Sequence, residues 1–127
     1  MASVDAGVKY KGFSLEGELY WRWLSDFQGP GTQVIQDIDD TGWQLQASMM
    51  AIPSVLQPYA GFSEIRGDFG NGSEFRLGLN WFPLKTRGFR VNAEWLSLDN
   101  CPVGYTAVPY PVGGNGDVFH ANMELNF

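Results

Sequence analysis

Ten ionisable side chains lie at alternate positions in stretches where apolar residues occupy the positions between them. They are Lys9, Lys11, Glu16, Glu18, Arg22, Arg76, Arg90, Glu94, His120 and Glu124. The chemistry available to such a surface is electrostatic, because rings of one charge sign select among ions in a water-filled path. When Asp5 is added, the same strand face carries five Lys or Arg residues and five Asp or Glu residues. This balance predicts a mixed, solvated or mutually paired lining.

Catalysis and metal binding receive little support from these residues. Glu16 and Glu18 form a carboxylate pair two residues apart, but no nucleophile or second cluster accompanies them. His120 is the only histidine and Cys101 the only cysteine, so a His/Cys metal site and an intrachain disulfide are not expected. The acidic run 37–40 is predicted to be a solvated loop rather than a cation site. We expect no enzyme, no metal and no cofactor.

The elements that carry these side chains are predicted to be strands, because a period of two recurs along the chain and helix signals are nearly absent. The predicted strands cover residues 4–11, 13–25, 42–52, 56–66, 74–83, 88–98 and 118–127. Short turns are expected at Lys11–Gly12, around Pro53–Ser54 and at 84–87, and long loops at 26–41, 67–73 and 99–117. Neighbours joined in this way are antiparallel, so all short turns would lie at one end of the sheet and all long loops at the other.

Length and composition restrict the class of protein. The 127 residues fit one domain, residues 1–127, and 15% aromatic residues with 16 glycines suit neither a disordered segment nor a helical bundle. A net charge of −6 argues against a nucleic-acid partner, because few bases are available to contact phosphates. No apolar run is long enough for a transmembrane helix, whereas a membrane-spanning strand needs only about 9–11 residues.

The two faces of the predicted strands differ in chemistry. Outside the fourth strand one face carries no charged residue, and the other carries the ionisable side chains. In the fourth strand Glu64 follows Phe62 on the apolar face, and we expect it near or beyond the rim. A soluble barrel or sandwich would turn the apolar face inward, and an outer-membrane barrel would turn it outward to lipid. Alternation alone does not separate these two arrangements.

The order of residues along the apolar face favours the membrane arrangement. Aromatic residues lie at the strand ends, with aliphatic residues between them: Phe13, Trp21, Trp23, Trp43, Trp81, Phe89, Trp95, Phe119 and Phe127. In an antiparallel sheet they would form two membrane-interface girdles around an aliphatic band, as amphipathic rings do at bilayer interfaces. Ten tilted residues per strand would span roughly 25 Å. We predict an all-β, antiparallel up-and-down transmembrane β-barrel whose ionisable face lines the lumen.

Several short segments resemble a known family. Residues 10–18, 57–60, 70–74 and 78–83 look like parts of the C-terminal half of bacterial outer-membrane porins of the phosphate-selective porin O and P type. Residues 119–127 are similar to the C-terminal strand by which that family is recognised for membrane insertion. The resemblance implies an outer-membrane channel for passive diffusion of ions or small hydrophilic solutes. It also implies larger barrels, typically of sixteen strands and often trimeric, and an anion path along Arg22, Arg76 and Arg90.

The predicted strands number seven, whereas single-chain outer-membrane barrels usually have an even number of strands. An unpaired strand edge in lipid costs several kcal/mol per backbone group. We therefore expect a fragment or reduced descendant of a larger porin, or several copies closing one barrel. The expected partners are the lipid bilayer and either further copies of the chain or a missing N-terminal barrel portion.

Two other functions remain open at this point. The first is a structural or anchoring membrane barrel whose lumen is plugged by paired charges, because a barrel of about eight strands can be filled by its own side chains. The second is a soluble β-barrel that binds an apolar ligand in a cavity lined by its tryptophans. Those tryptophans are Trp21, Trp23, Trp43, Trp81 and Trp95.

Overall fold

The computed structural model describes residues 1–25, 37–68, 70–86, 88–101 and 113–126, and the regular elements within these ranges are all β-strands. They are β1 (Ala2–Tyr10), β2 (Phe13–Leu24), β3 (Ile38–Met49), β4 (Leu56–Gly67), β5 (Gly70–Trp81), β6 (Phe89–Asp99) and β7 (Gly116–Leu125). Each strand pairs antiparallel with its neighbour in the sequence, which confirms the predicted all-β up-and-down sheet. Within the described ranges β1 and β7 are the two edges, so the sheet is not closed into a barrel.

The turns at one end of the sheet are short, as predicted. Lys11 and Gly12 connect β1 to β2 with φ values of 47° and 87°, so Lys11 belongs to the turn and not to the first strand. Ser54 lies between β3 and β4 with φ 59°, and Lys85 lies between β5 and β6 with φ 55°. Such left-handed conformations reverse the chain within a few residues. No described helix is long and apolar enough to cross a membrane.

The connections at the opposite end differ from the prediction. The expected loop over residues 67–73 is wrong, because β4 continues to Gly67 and β5 begins at Gly70, its register partner. Gly70 has φ 117°, which a side chain would strain, so glycine makes this tight connection possible. β7 begins at residue 116 rather than 118. The contrast of short turns with long connections therefore holds for β2–β3 and β6–β7 but fails for β4–β5.

The start of β3 is also earlier than predicted. The strand begins at Ile38 rather than at residue 42, so most of the acidic run 37–40 lies in a strand instead of a solvated loop. Asp40 is the register partner of Arg22 on β2 and forms an ion pair with it. The ion pair with Arg22 accounts for the acidic residue Asp40 at this position of the strand.

The apolar face of the sheet is the exposed one. Leu77 keeps 44% of its surface accessible and Phe119 keeps 83%. Among the described residues, the buried side chains are the hydrophobic Ile38 and Cys101 and the polar Asp40, Ser48 and Asn92. A water-soluble domain would bury its large apolar residues instead. In the described part of the chain, the burial is therefore inverted relative to a soluble β-sandwich.

The polar face is the concave side of the sheet. A cleft of about 800 Å³ is lined by residues from all seven strands, from Lys9 on β1 to His120 on β7, so the sheet curves around it. Two glycines allow neighbouring rings to lie directly on the backbone of this face. A Cβ atom added to Gly42 would lie 2.0 Å from Tyr20 Cζ, and one added to Gly78 would lie 2.0 Å from Tyr59 Cζ.

Candidate functional site: the concave polar face

The strand register brings the predicted lining residues onto one face. The large cleft is bordered by Lys9, Lys11, Glu16, Arg76, Arg90, Glu94 and His120. A second cleft of about 570 Å³ adds Asp5 and Glu18, next to Gln44 and Gln46. Arg22 and Glu124 share the face by alternation but line neither of these clefts. Lys11 lies in the β1–β2 turn, so it borders the mouth of the large cleft rather than its wall.

Each base on the described strands of this face is held in an ion pair. The pairs are Lys9–Glu16 (2.9 Å), Arg22–Asp40, Arg76–Glu74 (3.3 Å) and Arg90–Glu124. Three of these pairs join adjacent strands, whereas Arg76 pairs within β5. The pairing offsets the positive charges of the face. The predicted mutual pairing is thus present for four of the five predicted bases, whereas Lys11 of the turn has no ion-pair partner among the described residues and its Nζ atom lies 5.2 Å from the centre of the Tyr10 ring.

The acids of this face outnumber its bases. Four bases and seven acids lie on its strands, because Asp40 and Glu74 join the predicted residues. The equal balance of charges predicted from the sequence is therefore wrong. The sequence prediction excluded Asp40 because it began the third strand at residue 42, and it overlooked Glu74 at the start of the fifth.

Three carboxylates of the face form no ion pair with a described residue. They are Asp5, Glu18 and Glu94. Glu18 accepts a hydrogen bond from Gln44 Nε2 at 2.8 Å, and Glu94 accepts one from Tyr59 OH at 2.6 Å. Asp5 is the register partner of Glu18, so two acids stand opposite each other across β1 and β2. Like charges in this position destabilise a sheet.

A continuous chain of side-chain hydrogen bonds, the polar belt, crosses β2 to β6. Its links are Ser14–Ser48 (3.0 Å), Gln57–Ser48 (3.1 Å), Asn80–Gln57 (3.3 Å), Asn92–Asn80 (3.0 Å), Asn92–Tyr59 (2.9 Å) and Tyr59–Glu94 (2.6 Å). Asn92 is only 7% exposed, and it donates to both Asn80 and Tyr59. The belt leaves no signal in the sequence, because its contacts depend on the register between strands.

The predicted interface aromatics lie on the opposite, exposed face. The described ones are Phe13, Trp21, Trp23, Trp43, Trp81, Phe89, Trp95 and Phe119. Phe127 lies outside the described residues. Phe13, next to the β1–β2 turn, also borders the mouth of the large cleft. None of the five tryptophans lines either cleft.

A polar rim ends the apolar face near the β2–β3 and β6–β7 connections. Glu64, expected near or beyond the rim, lies within β4 opposite Trp43. Its carboxylate accepts hydrogen bonds from Trp43 Nε1 at 3.0 Å and from Arg66 Nε at 2.8 Å. Other charged residues reach this end of the apolar face because three strands extend beyond their predicted bounds: Asp39, Asp99 and Asp117.

On β5 the rim shortens the apolar band below the predicted ten residues, whereas on β2 the apolar face runs unbroken from Phe13 to Trp23. On β5 the band runs from Phe75 to Trp81, which is about 20 Å along the strand at 3.3 Å per residue. Phe75 contacts Trp95 edge to face with ring centroids 6.1 Å apart, and Trp43 contacts Phe62 at 5.2 Å. These rings lie next to the rim, and aliphatic side chains fill the middle of the band.

The described ranges contain no group of three or more His, Cys, Asp or Glu side chains placed to hold a metal ion. No family model, curated protein or solved structure matches this chain. The resemblance of its short segments to porins therefore stays a prediction from the sequence.

Proposed function

We propose that this chain forms part of a porin-like β-barrel in a bacterial outer membrane, where it allows passive diffusion of ions or small hydrophilic solutes. The observation that carries the proposal is the inverted burial of the sheet. Its exposed face is apolar and its concave face is polar. Lipid on the outside and water on the inside would satisfy both faces.

An apolar partner is needed to cover the exposed face. Large apolar side chains are exposed on strands throughout the sheet, including Val8 at 64%, Leu45 at 45% and Met123 at 65%. Monomeric soluble proteins rarely expose contiguous apolar patches larger than a few hundred Å². The face would therefore aggregate in water, and a bilayer would cover all of it at once.

The distribution of residues across the band supports lipid over a protein partner. Trp43 lies where the apolar band meets the polar rim, and its indole N–H bonds to Glu64. Tryptophan prefers the membrane–water interface because its ring is apolar and its N–H group needs a polar partner. The band on β5 is about 20 Å long along the strand, so a tilted strand would cover less than the roughly 25 Å height usual for outer-membrane barrels. Such a sheet would suit a thin bilayer best.

The water-filled side of the barrel is proposed to be the concave face. Its charged and amide side chains need water, and the cleft of about 800 Å³ shows that they leave open space between them. The open edges at β1 and β7 need strand partners before the sheet can stand in lipid, since unpaired backbone groups are costly there. Further copies of the chain, or additional strands of a longer chain, would supply these partners.

A second candidate function is a structural membrane barrel with a plugged lumen. The four ion pairs and the polar belt favour it, because they satisfy charged and amide groups with one another instead of leaving them to water, and they tie neighbouring strands together. A soluble barrel that binds an apolar ligand is less well supported, because the tryptophans that would line its cavity lie on the face away from both clefts.

Conductance separates the two membrane functions. The chain, purified in mild detergent, would be inserted into a planar phospholipid bilayer and recorded in potassium chloride. Reproducible current steps would support the pore. A silent bilayer, with insertion confirmed by flotation of proteoliposomes, would support the plugged barrel. A monodisperse 14.1 kDa monomer in detergent-free buffer would contradict both.

A further inference from the structure

We infer that the water-filled path of the proposed barrel favours small cations over anions. The inference rests on the proposed function, because it requires the concave face to line a path for ions. It concerns the charge of the face that this chain contributes to the lining and not a single binding site. The described residues hold no cluster able to fix a metal ion, so the cations would pass along the face as hydrated ions.

The positive charges on the strands of the concave face are already paired. An anion path needs bases that are free to meet the passing ion, but each base on the strands of the concave face already contacts a carboxylate. Arg22 is paired with Asp40, and Arg90 with Glu124. Because the attraction of a guanidinium for a passing anion is offset by the adjacent carboxylate, the three arginines are poor candidates for an anion path.

Some of the negative charges of the concave face are left without ion-pair partners among the described residues. Asp5, Glu18 and Glu94 have no ion-pair partner among the described residues, so the face keeps a net charge of about −3 after pairing. Even with Lys11 of the turn included, the excess stays negative. The hydrogen bonds from Gln44 and Tyr59 orient two of the carboxylates but do not neutralise them.

These three carboxylates are spread across the concave face. Asp5 and Glu18 stand opposite each other near one edge of the sheet, and Glu94 lies on β6, opposite His120 near the other edge. Glu94 aligns across the sheet with Ser48 and Tyr59, in a row of register partners four residues from the row of Asp5 and Glu18. A passing ion would meet negative charge near both edges of the sheet.

The size of the expected preference follows from the potential of such a face. A charged cleft with low-dielectric walls carries a potential of one to several kT. A potential of about one kT enriches monovalent cations by a factor of e and depletes anions by the same factor. The resulting cation-to-anion ratio is about seven. We therefore expect potassium to pass several times more readily than chloride.

The test is the reversal potential of reconstituted channels in a tenfold gradient of potassium chloride. The wild-type chain should show a cation-to-anion permeability ratio of several. The triple variant Asp5→Asn, Glu18→Gln and Glu94→Gln should bring the ratio close to one. The control Asp117→Asn removes the same type of charge from the exposed face, opposite Ser97, and should leave the ratio unchanged.

The outcomes distinguish this inference from the proposed function. Channels that conduct but prefer chloride, or whose ratio is the same in wild type and triple variant, would overturn the inference and leave the pore standing. A silent bilayer with confirmed insertion would overturn both. If the triple variant fails to insert, Glu18→Gln alone, which keeps a hydrogen-bonding group next to Gln44, should still lower the ratio measurably.

Discussion

An arginine within the apolar band of the exposed face should reveal whether that face meets lipid. Leu45 lies in the middle of β3, between its register partners Gly17 and Phe62, and is 45% exposed. Its neighbour Gln46 lies on the concave face, opposite Glu16. Leu45→Arg and Gln46→Arg therefore introduce the same charge one residue apart on opposite faces of one strand.

The expected magnitudes differ strongly between lipid and water. Arginine on the lipid face at the bilayer midplane costs about 2–4 kcal/mol, which lowers the folding equilibrium constant roughly 30- to 1000-fold. If the face were exposed to water, Leu45→Arg would be a surface substitution worth about 0.5 kcal/mol or less. Gln46→Arg should cost about 0.5 kcal/mol or less in either case, because the new charge points to water and has Glu16 within the same row of the sheet.

The assay is equilibrium unfolding in phospholipid vesicles, with tryptophan fluorescence recorded against urea concentration. Leu45→Arg should lower the free energy of unfolding by about 1.5–4 kcal/mol more than Gln46→Arg. Equal losses in the two variants would refute the assignment of lipid and water to the two faces. A larger loss for Gln46→Arg would show that the faces are reversed.

Three further predictions follow from individual contacts. Gly78→Ala places a Cβ atom 2.0 Å from Tyr59 Cζ, so the ring must move and its hydroxyl must release Glu94. We expect the free energy of unfolding to fall by about 1–3 kcal/mol. The matched control is Tyr59→Phe, which removes the hydroxyl and keeps the ring. Arg22→Gln removes the ion-pair partner of Asp40, whose side chain is only 10% exposed. The free energy of unfolding, measured by the same assay, should fall by about 1–3 kcal/mol. The short apolar band should make the folded protein more stable in bilayers of short-chain than of long-chain phosphatidylcholine, measured as the midpoint of urea unfolding.

Each of these predictions has a contradicting result. A Gly78→Ala variant as stable as the wild type would show that the ring of Tyr59 can move at no cost. An Arg22→Gln variant as stable as the wild type would mean that water solvates the carboxylate of Asp40 adequately. Greater stability in long-chain lipid would mean that more of the sheet than the band from Phe75 to Trp81 contacts hydrocarbon.

The sequence was sufficient to predict the number, order and faces of the strands. Alternation with a period of two marked each strand, and short turns such as Lys11–Gly12 fixed the antiparallel order. Strand ends were predicted less well. Gly70 and Gly72 indicated a loop because glycine weakens strands, but both pair with β4 in the structure. Pairing to a neighbouring strand, which local sequence does not show, overrides this preference.

The contacts of the candidate site depended on information that the sequence does not display. Arg22 and Asp40 are separated by the β2–β3 connection, so their pairing follows only from the register of β2 and β3. The same holds for the polar belt, whose Tyr59–Glu94 bond reaches from β4 across β5 to β6. Alternation also does not say which face is concave. The curvature of the sheet around the cleft, a property of the whole sheet, supplied that information.

Thiol accessibility along one strand tests the assignment of the two faces most directly. Single cysteines would replace Gln44, Leu45, Gln46 and Ala47 in a Cys101→Ser background, and vesicle-embedded protein would be treated with a polar maleimide that does not enter lipid. Positions 44 and 46 should react, and positions 45 and 47 should be protected. Leu45 is 45% exposed on the protein itself, so its protection requires a covering of lipid. Reaction at all four positions, or at 45 and 47 alone, would contradict a lipid-facing apolar surface around a water-filled concave face.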